Sequence, residues 1–260
     1  VAAKVVYKGS ITTKVDTVAK RKQSVNLDFS YEFTQNRFNT IERYRNIEFN
    51  RDWNLTTSDK RYNEHLAIGV LGYQWSDIGT INYRFKAFIQ DTAYRGFENA
   101  LTGNINKKGF GLVFSNSYLK STSIVNSTDY LRPKADFSYS SPKLKNWKVG
   151  TAFDHEINRI KTRGADTLAK TSFLWQNYRV YATSPDSSKN RYSIEFSMRY
   201  EHRPKGTSFD QPYFSAQQLS FTGNIASIKN QTLNYNLTYR HSRNQDSLDS
   251  RQPEHFYLGR

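Results

Sequence analysis

The chain has 260 residues, of which 37% are hydrophobic, and a mean hydropathy of −0.79. Such a length suits one barrel or two modest globular domains, and without an apolar run of roughly 18 residues it excludes a bundle of transmembrane helices. Its 17 Phe, 18 Tyr and 4 Trp exclude disorder, which goes with few aromatics, and the lack of cysteine excludes disulfides and thiolate metal sites.

The formal charge of +15 raises nucleic acid as a partner. The basic residues, however, are spread along the whole length and gather in turn-like stretches such as Lys20-Arg21-Lys22 and Lys107-Lys108. No RNP-like aromatic motif or basic helical stripe accompanies them. No nucleic-acid partner is therefore expected; anionic lipid head groups or lipopolysaccharide phosphates meeting a cationic rim are.

Taken in chain order, the elements are strands. Lys4–Val15 alternates Val5, Tyr7, Gly9 and Ile11 with Lys8, Ser10 and Thr12. Ser24–Gln35 sets the pattern most clearly: Val25, Leu27, Phe29, Tyr31 and Phe33 alternate with Ser24, Asn26, Asp28, Ser30 and Glu32. Successive side chains of a strand point to opposite faces, so this is a ribbon with one apolar and one polar face. It is about the 9–11 residues that a tilted strand needs to cross a bilayer. Thr40–Thr56 reads the same way, with Ile47, Phe49, Trp53 and Leu55 on one face and Arg51 interrupting it.

Glu64–Trp75 and Gly79–Gln90 make a hairpin across residues 76–78, and Glu98–Ile105 and Phe110–Lys120 another across 106–109. Pro133–Ser141 with Asn146–Arg159, Ser172–Ser184 with Arg191–Arg203, and Gln217–Ile228 with Gln231–Ser242 follow, and a fourteenth strand begins near His255. Gly, Asn, Asp, Pro and Ser fall at the breaks. Short connections near 36–39, 76–78, 106–109, 142–145, 185–190 and 229–230 alternate with longer ones near 16–23, 57–63, 91–97, 121–132, 160–171, 204–216 and 243–254. That asymmetry belongs to outer-membrane barrels, and it places the N-terminus on the short-turn side.

The expectation is therefore an all-β, transmembrane antiparallel up-and-down β-barrel of about 14 strands. Residues 1–260 would form a single outer-membrane barrel domain, cut at both ends or part of a larger barrel. A soluble sandwich shares the alternation, but its strands are shorter, and a face mixing Asp28, Glu32, Arg84, Lys86, Lys148, Asp154, Glu195 and Arg199 suits a wet lumen. The Asn/Lys/Tyr/Ile-rich strands, and phrases such as RYRNIEFNRDWNL at 43–55, resemble large outer-membrane β-barrel proteins of Bacteroidota-type bacteria. That resemblance implies a Gram-negative outer membrane, envelope proteins as partners, and a role in uptake, secretion or scaffolding of surface complexes.

No catalytic, cofactor or metal residues are assigned, and no enzyme is expected. His65, His155, His202, His241 and His255 show no metal-ligand spacing. His241-Ser242-Arg243-Asn244 is similar to the His-x-Ser-Asn run of outer-membrane phospholipases, but the order here is His-Ser-x-Asn. Adjacent strand residues face opposite ways, so the run reads as a polar strand end. The pairs Asp28/Glu32 and Glu48/Asp52 read as lumen ion-pair formers rather than an acid–base couple, and Gly103 and Gly109 as strand-kink and turn glycines. Transport, translocation or anchoring of a surface complex is the expected role; the alternatives are a secreted all-β adhesion or glycan-binding module and an outer-membrane lipid hydrolase.

Overall fold

The structure, a computed structural model, describes residues 2–16, 21–35, 53, 62–75, 78–185, 190–226, 232–244 and 254–259. It is all-β: β1 (Ala2–Asp16), β2 (Arg21–Thr34), β3 (Glu64–Trp75), β4 (Gly79–Gln90), β5 (Tyr94–Lys107), β6 (Phe110–Ser123) and β7 (Asn126–Ser140) come first. A short 3₁₀ turn, Pro142–Leu144, leads to β8 (Lys148–Thr162), β9 (Phe173–Thr183), β10 (Arg191–Lys205), β11 (Ser208–Ala226), β12 (Thr232–Asn244) and β13 (Glu254–Gly259). Each strand pairs antiparallel with its chain neighbours, giving one up-and-down sheet of 13 strands in sequence order. Among the described residues no ladder joins β1 to β13. Because the count is odd, those two edge strands run in the same direction.

Several expectations change. The strand expected at Thr40–Thr56 lies, apart from Trp53, outside the described residues, and β2 pairs directly with β3 from Gln23↔Trp75 to Thr34↔Glu64. That ladder leaves no place for a further strand between them, so the sheet has 13 strands rather than 14. Removing one strand reverses the parity of what precedes it. The end of β1 thus lies with the ends of β3, β5, β7, β9 and β11 at one end of the sheet, the turn end. The start of β1 lies at the opposite end, the loop end, with the ends of β2, β4, β6, β8, β10 and β12. The expected long loops at 91–97, 121–132 and 204–216 are mostly strand. Apolar–polar alternation fades there while the backbone ladder continues, as in Thr122↔Ser127 and Lys205↔Ser208.

Turn chemistry explains the tight ends. Lys108 (φ 51) and Gly109 (φ 87) both adopt positive φ between Lys107 and Phe110, the demand of a two-residue type I′ hairpin. Gly206 (φ 61) takes the first position of the two-residue loop 206–207, where type II′ requires it. Proline lacks the ladder donor, so it sits at irregularities. The β10–β11 register shifts beside Pro204 and Pro212, and the β7–β8 ladder skips from Leu131↔Ile157 to Lys134↔Asp154 around Pro133.

The register aligns the apolar faces of all these strands. Leu27, Leu71, Tyr83 and Leu101 form one cross-strand row, and Leu112, Phe137, Val180, Phe196, Leu219 and Tyr239 lie along another. The band runs obliquely. The level of Leu27 continues to Asn116 and Pro133 and is held farther on by Gln176, Tyr200, Ser215 and Arg243. In β12 the apolar residues are instead Leu233, Leu237 and Tyr239, displaced toward the turn end.

Replacing the two hairpin glycines should have unequal effects. At Gly206 a Cβ meets nothing within 4 Å, so Gly206→Ala carries only the left-handed backbone penalty, about 1 kcal/mol. At Gly109 a Cβ would lie 2.1 Å from the Ser140 carbonyl oxygen, and Gly109→Ala should cost more than about 2 kcal/mol. Denaturant midpoints of the two full-length variants measure the difference.

Candidate functional site

The face opposite the apolar band carries a lattice of ion pairs across β4–β11. Arg84 Nη2 and Lys86 Nζ hold the two carboxylate oxygens of Glu98 at 2.8 and 3.2 Å. Three strands on, Glu156 accepts hydrogen bonds from Trp175 Nε1 (3.1 Å) and the Tyr130 hydroxyl, with Arg132 Nε 3.6 Å away. The Arg132 guanidinium in turn lies 3.9 Å from the Tyr130 ring centroid. Lys134 meets Asp154 at 2.8 Å. Arg179 bridges Asp136 (3.0 Å) and Glu195 (3.6 Å), and Tyr181 donates to Asp136 at 2.6 Å. Arg199 pairs with Glu201 at 2.7 Å, which also accepts from Tyr213.

Six cations (Arg84, Lys86, Arg132, Lys134, Arg179, Arg199) thus face six anions (Glu98, Asp136, Asp154, Glu156, Glu195, Glu201). The lattice is neutral, so the surplus of positive charge lies elsewhere on the chain. Partly solvated pairs of this kind contribute up to about 1 kcal/mol each, and bidentate or shared partners more. Paired in this way, they keep the face polar while adding no net charge.

At the loop end the same face is apolar and covered. Trp53, 2% exposed, packs on Phe88 (0%), Tyr94 (3%) and Leu119 (6%), with Leu66 and Tyr130 beside them. The Tyr94 hydroxyl donates to the Trp53 carbonyl at 2.5 Å, and the Trp53 ring lies over Gly96, where a Cβ would meet it at 2.7 Å. A glycine inside a strand marks such a close approach. Ser172, also buried, closes loop 163–172 by bonding both the amide and the carbonyl of Ile160.

The lattice brings together several residues that the alternation had assigned to the polar face, namely Arg84, Lys86, Asp154, Glu195 and Arg199. Asp28 and Glu32 stand directly opposite Lys8 and Lys4 in the β1–β2 register. Glu48, Arg51 and Asp52 lie outside the described residues. Alternation also assigns Glu201 to the polar face but does not mark out Glu98, Asp136 and Glu156; period two assigns a residue to a face, and only register supplies its partner. Trp53, expected on the apolar face of a strand, lies instead against the opposite face at the loop end, over Gly96.

His241 and Ser242 occupy opposite faces of β12: Gln217 and His255 flank His241 in the ladder, while Ala216 and Glu254 flank Ser242. Among the described residues no three His, Asp or Glu side chains form a metal-ligand set. Gly109 serves its turn, and Gly103 lies beneath the Phe114 ring.

The apolar face also holds a trough of about 860 Å³. It runs along two adjacent rows, from Ile105 and Phe110 in β5–β6 to Ile194, Phe196 and Leu219 in β10–β11. A smaller polar cavity of about 390 Å³ lies at the turn end, where Asn106, Gly111, Ser138, Ser140 and Lys148 belong by strand parity to the opposite, charged face. Comparison of the chain with protein-family models, characterised proteins and solved structures finds no match.

Gly96→Ala should displace Trp53 and forfeit its bond from Tyr94, at a cost of about 1–3 kcal/mol. Gly69→Ala, where the nearest atom is Phe29 at 4.0 Å, should shift stability by less than about 0.5 kcal/mol. A red-shifted tryptophan emission in the first variant alone reads the displacement directly.

Proposed function

We propose that this chain is the wall of a bacterial outer-membrane β-barrel, with the apolar face on lipid and the ion-paired face on a water-filled interior. Its role is passage of a solute or polypeptide, or anchoring of a surface complex, without chemistry of its own. One observation carries the reading: a continuous, oblique apolar band lies opposite a neutral charged lattice on a single sheet. Phe110 (65% exposed), Val180 (58%), Leu233 (60%) and Leu237 (56%) stand in that band, and no second sheet covers them among the described residues. A soluble protein rarely leaves so large an apolar patch in water. The slope has the same origin: strands in a closed barrel tilt by about 35–45°, so a belt level with the membrane crosses them obliquely.

Closure is part of the proposal. With β1 and β13 running in the same direction, a ring of these thirteen strands needs a parallel seam, and a larger ring needs additional strands between them. Trp53 packed on the polar face at the loop end fits a barrel of this width, whose interior must be filled, plugged or left conducting.

The test is to refold the full chain in detergent and compare boiled with unboiled samples by gel mobility. A faster unboiled band and β-rich circular dichroism are expected; a β-rich monomer in plain buffer with no mobility shift would instead favour a secreted adhesion module. Val180→Arg, in the middle of the band, should lower stability in a bilayer by about 2–4 kcal/mol. Ser193→Arg, on the polar face between Thr183 and Thr222, should change it little. Equal effects would remove the assignment of faces.

A further inference from the structure

We infer that a niche on the charged face, centred on Ala152, binds a small zwitterion with an ammonium and a carboxylate on one carbon, an α-amino acid. The inference rests on the reading of that face as the wet interior, and it names a class of solute met there. The niche is a cavity of about 320 Å³, small among ligand cavities, which span about 300–1,000 Å³. Lys134, Asp136, Ala152, Asp154, Asn177 and Arg179 line it, and all six belong by strand parity to the charged face. Phe114, Ala135 and Phe153 also border it, but they are the intervening residues, whose side chains the same parity assigns to the other face.

The register builds the niche. Ala152 on β8 stands between Asp136 on β7 and Arg179 on β9. β7 and β9 are two strand spacings apart, about 9.6 Å, and the Asp136 and Arg179 side chains cross that gap at the alanine to meet at 3.0 Å. One step toward the loop end, Lys134 and Asp154 stand opposite each other and pair at 2.8 Å, with Asn177 next to Asp154. The small side chain of Ala152 is what leaves space inside this frame.

Three features suit the frame to a zwitterion. First, each end of the central bridge is also held from the turn-end side by another group. The Tyr181 hydroxyl donates to Asp136 Oδ1 at 2.6 Å, and Arg179 Nη1 lies 3.6 Å from Glu195. The bridge can therefore open without stranding either charge: an ammonium replaces the guanidinium at Asp136 Oδ2, and a carboxylate replaces Asp136 at Arg179 Nη2. Second, the lining holds two acids and two bases. A lone anion would meet Asp136 and Asp154, and a lone cation would meet Lys134 and Arg179. Third, Asp154 gives Oδ2 to Lys134, while its Oδ1 is buried without a hydrogen-bond partner among the described residues. An ammonium brings three donors, enough for Asp136 and for this oxygen. A neutral polyol lacks the charges that would open the bridge.

The test uses the full chain refolded in a non-ionic detergent, with binding read by saturation-transfer NMR. The probes are L-alanine, L-alaninamide, which keeps only the ammonium charge, and L-lactate, which keeps only the carboxylate. Alanine should bind about tenfold or more tighter than either analogue, the worth of one charge-assisted contact. Asp136→Asn should bring alanine down to the level of lactate, and Arg179→Gln to the level of alaninamide. Ala152→Leu, which keeps every charge and fills the space, should abolish binding. Ser193→Leu, on the same face outside the niche, should leave binding unchanged.

Equal binding of the three probes, or unchanged alanine binding by Ala152→Leu, would overturn the site. Absence of binding by a heat-modifiable, folded protein would overturn it too and leave the membrane reading standing. Selective alanine binding by a β-rich protein without a mobility shift would keep the niche and overturn the barrel around it.

Discussion

Everything in this sheet depends on cross-strand register. Side chains alternate faces with a period of two, so a slip of one residue in any ladder would carry that strand's apolar residues to the charged face. Twelve ladders keep the alignment, and the devices that pin it are local. Positive-φ residues fix the loop lengths at 108–109 and 206–207, and irregularities fall at Pro133, Pro204 and Pro212 and, in the β1–β2 ladder, between Thr13 and Asp16. Toward the turn end the ladders from β5 to β12 run without a shift, and there the apolar rows are longest.

The register also explains how the charge is divided. A face built only of like charges would repel itself, whereas alternating acids and bases across adjacent strands neutralise each other where they stand. Glu98 between Arg84 and Lys86, and Arg179 between Asp136 and Glu195, show the pattern. Lysines displayed by turns have no opposing strand residue to neutralise them. The excess of basic residues is spread over strands and turns outside this lattice.

Much of this was legible in the sequence, and the boundary between legible and hidden has a physical cause. Where one face is apolar and the other polar, alternation specifies the strand completely: Glu64–Trp75 and Gly79–Gln90 have the bounds expected. Toward the loop end the contrast fails. In β5 the charged-face side carries Tyr94 and Gly96 and the other side Arg95, so the strand looked like a connection although its ladder to β4 runs from Gly79↔Ile105 to Gln90↔Tyr94. The residues of the charged lattice were legible as to face, but Glu156 finds Trp175 and Arg132 only through two registers set far away in the chain. Trp53 was hidden for another reason. Its segment alternates like a strand, and only a tertiary contact with Gly96 shows where that side chain goes.

Every ladder links strands that are consecutive in the chain, so the molecule is close to one-dimensional, like a repeat array whose units touch only their neighbours. A hairpin is then the natural unit of growth. Inserting or deleting one widens or narrows the sheet by two strands and preserves the direction of everything that follows, whereas gain or loss of a single strand inverts the rest. Such a sheet has an easy route to change its width over evolutionary time. The contact of Trp53 with Gly96, reaching past β3 and β4, is the kind of interaction that ties such a change to one position along the chain.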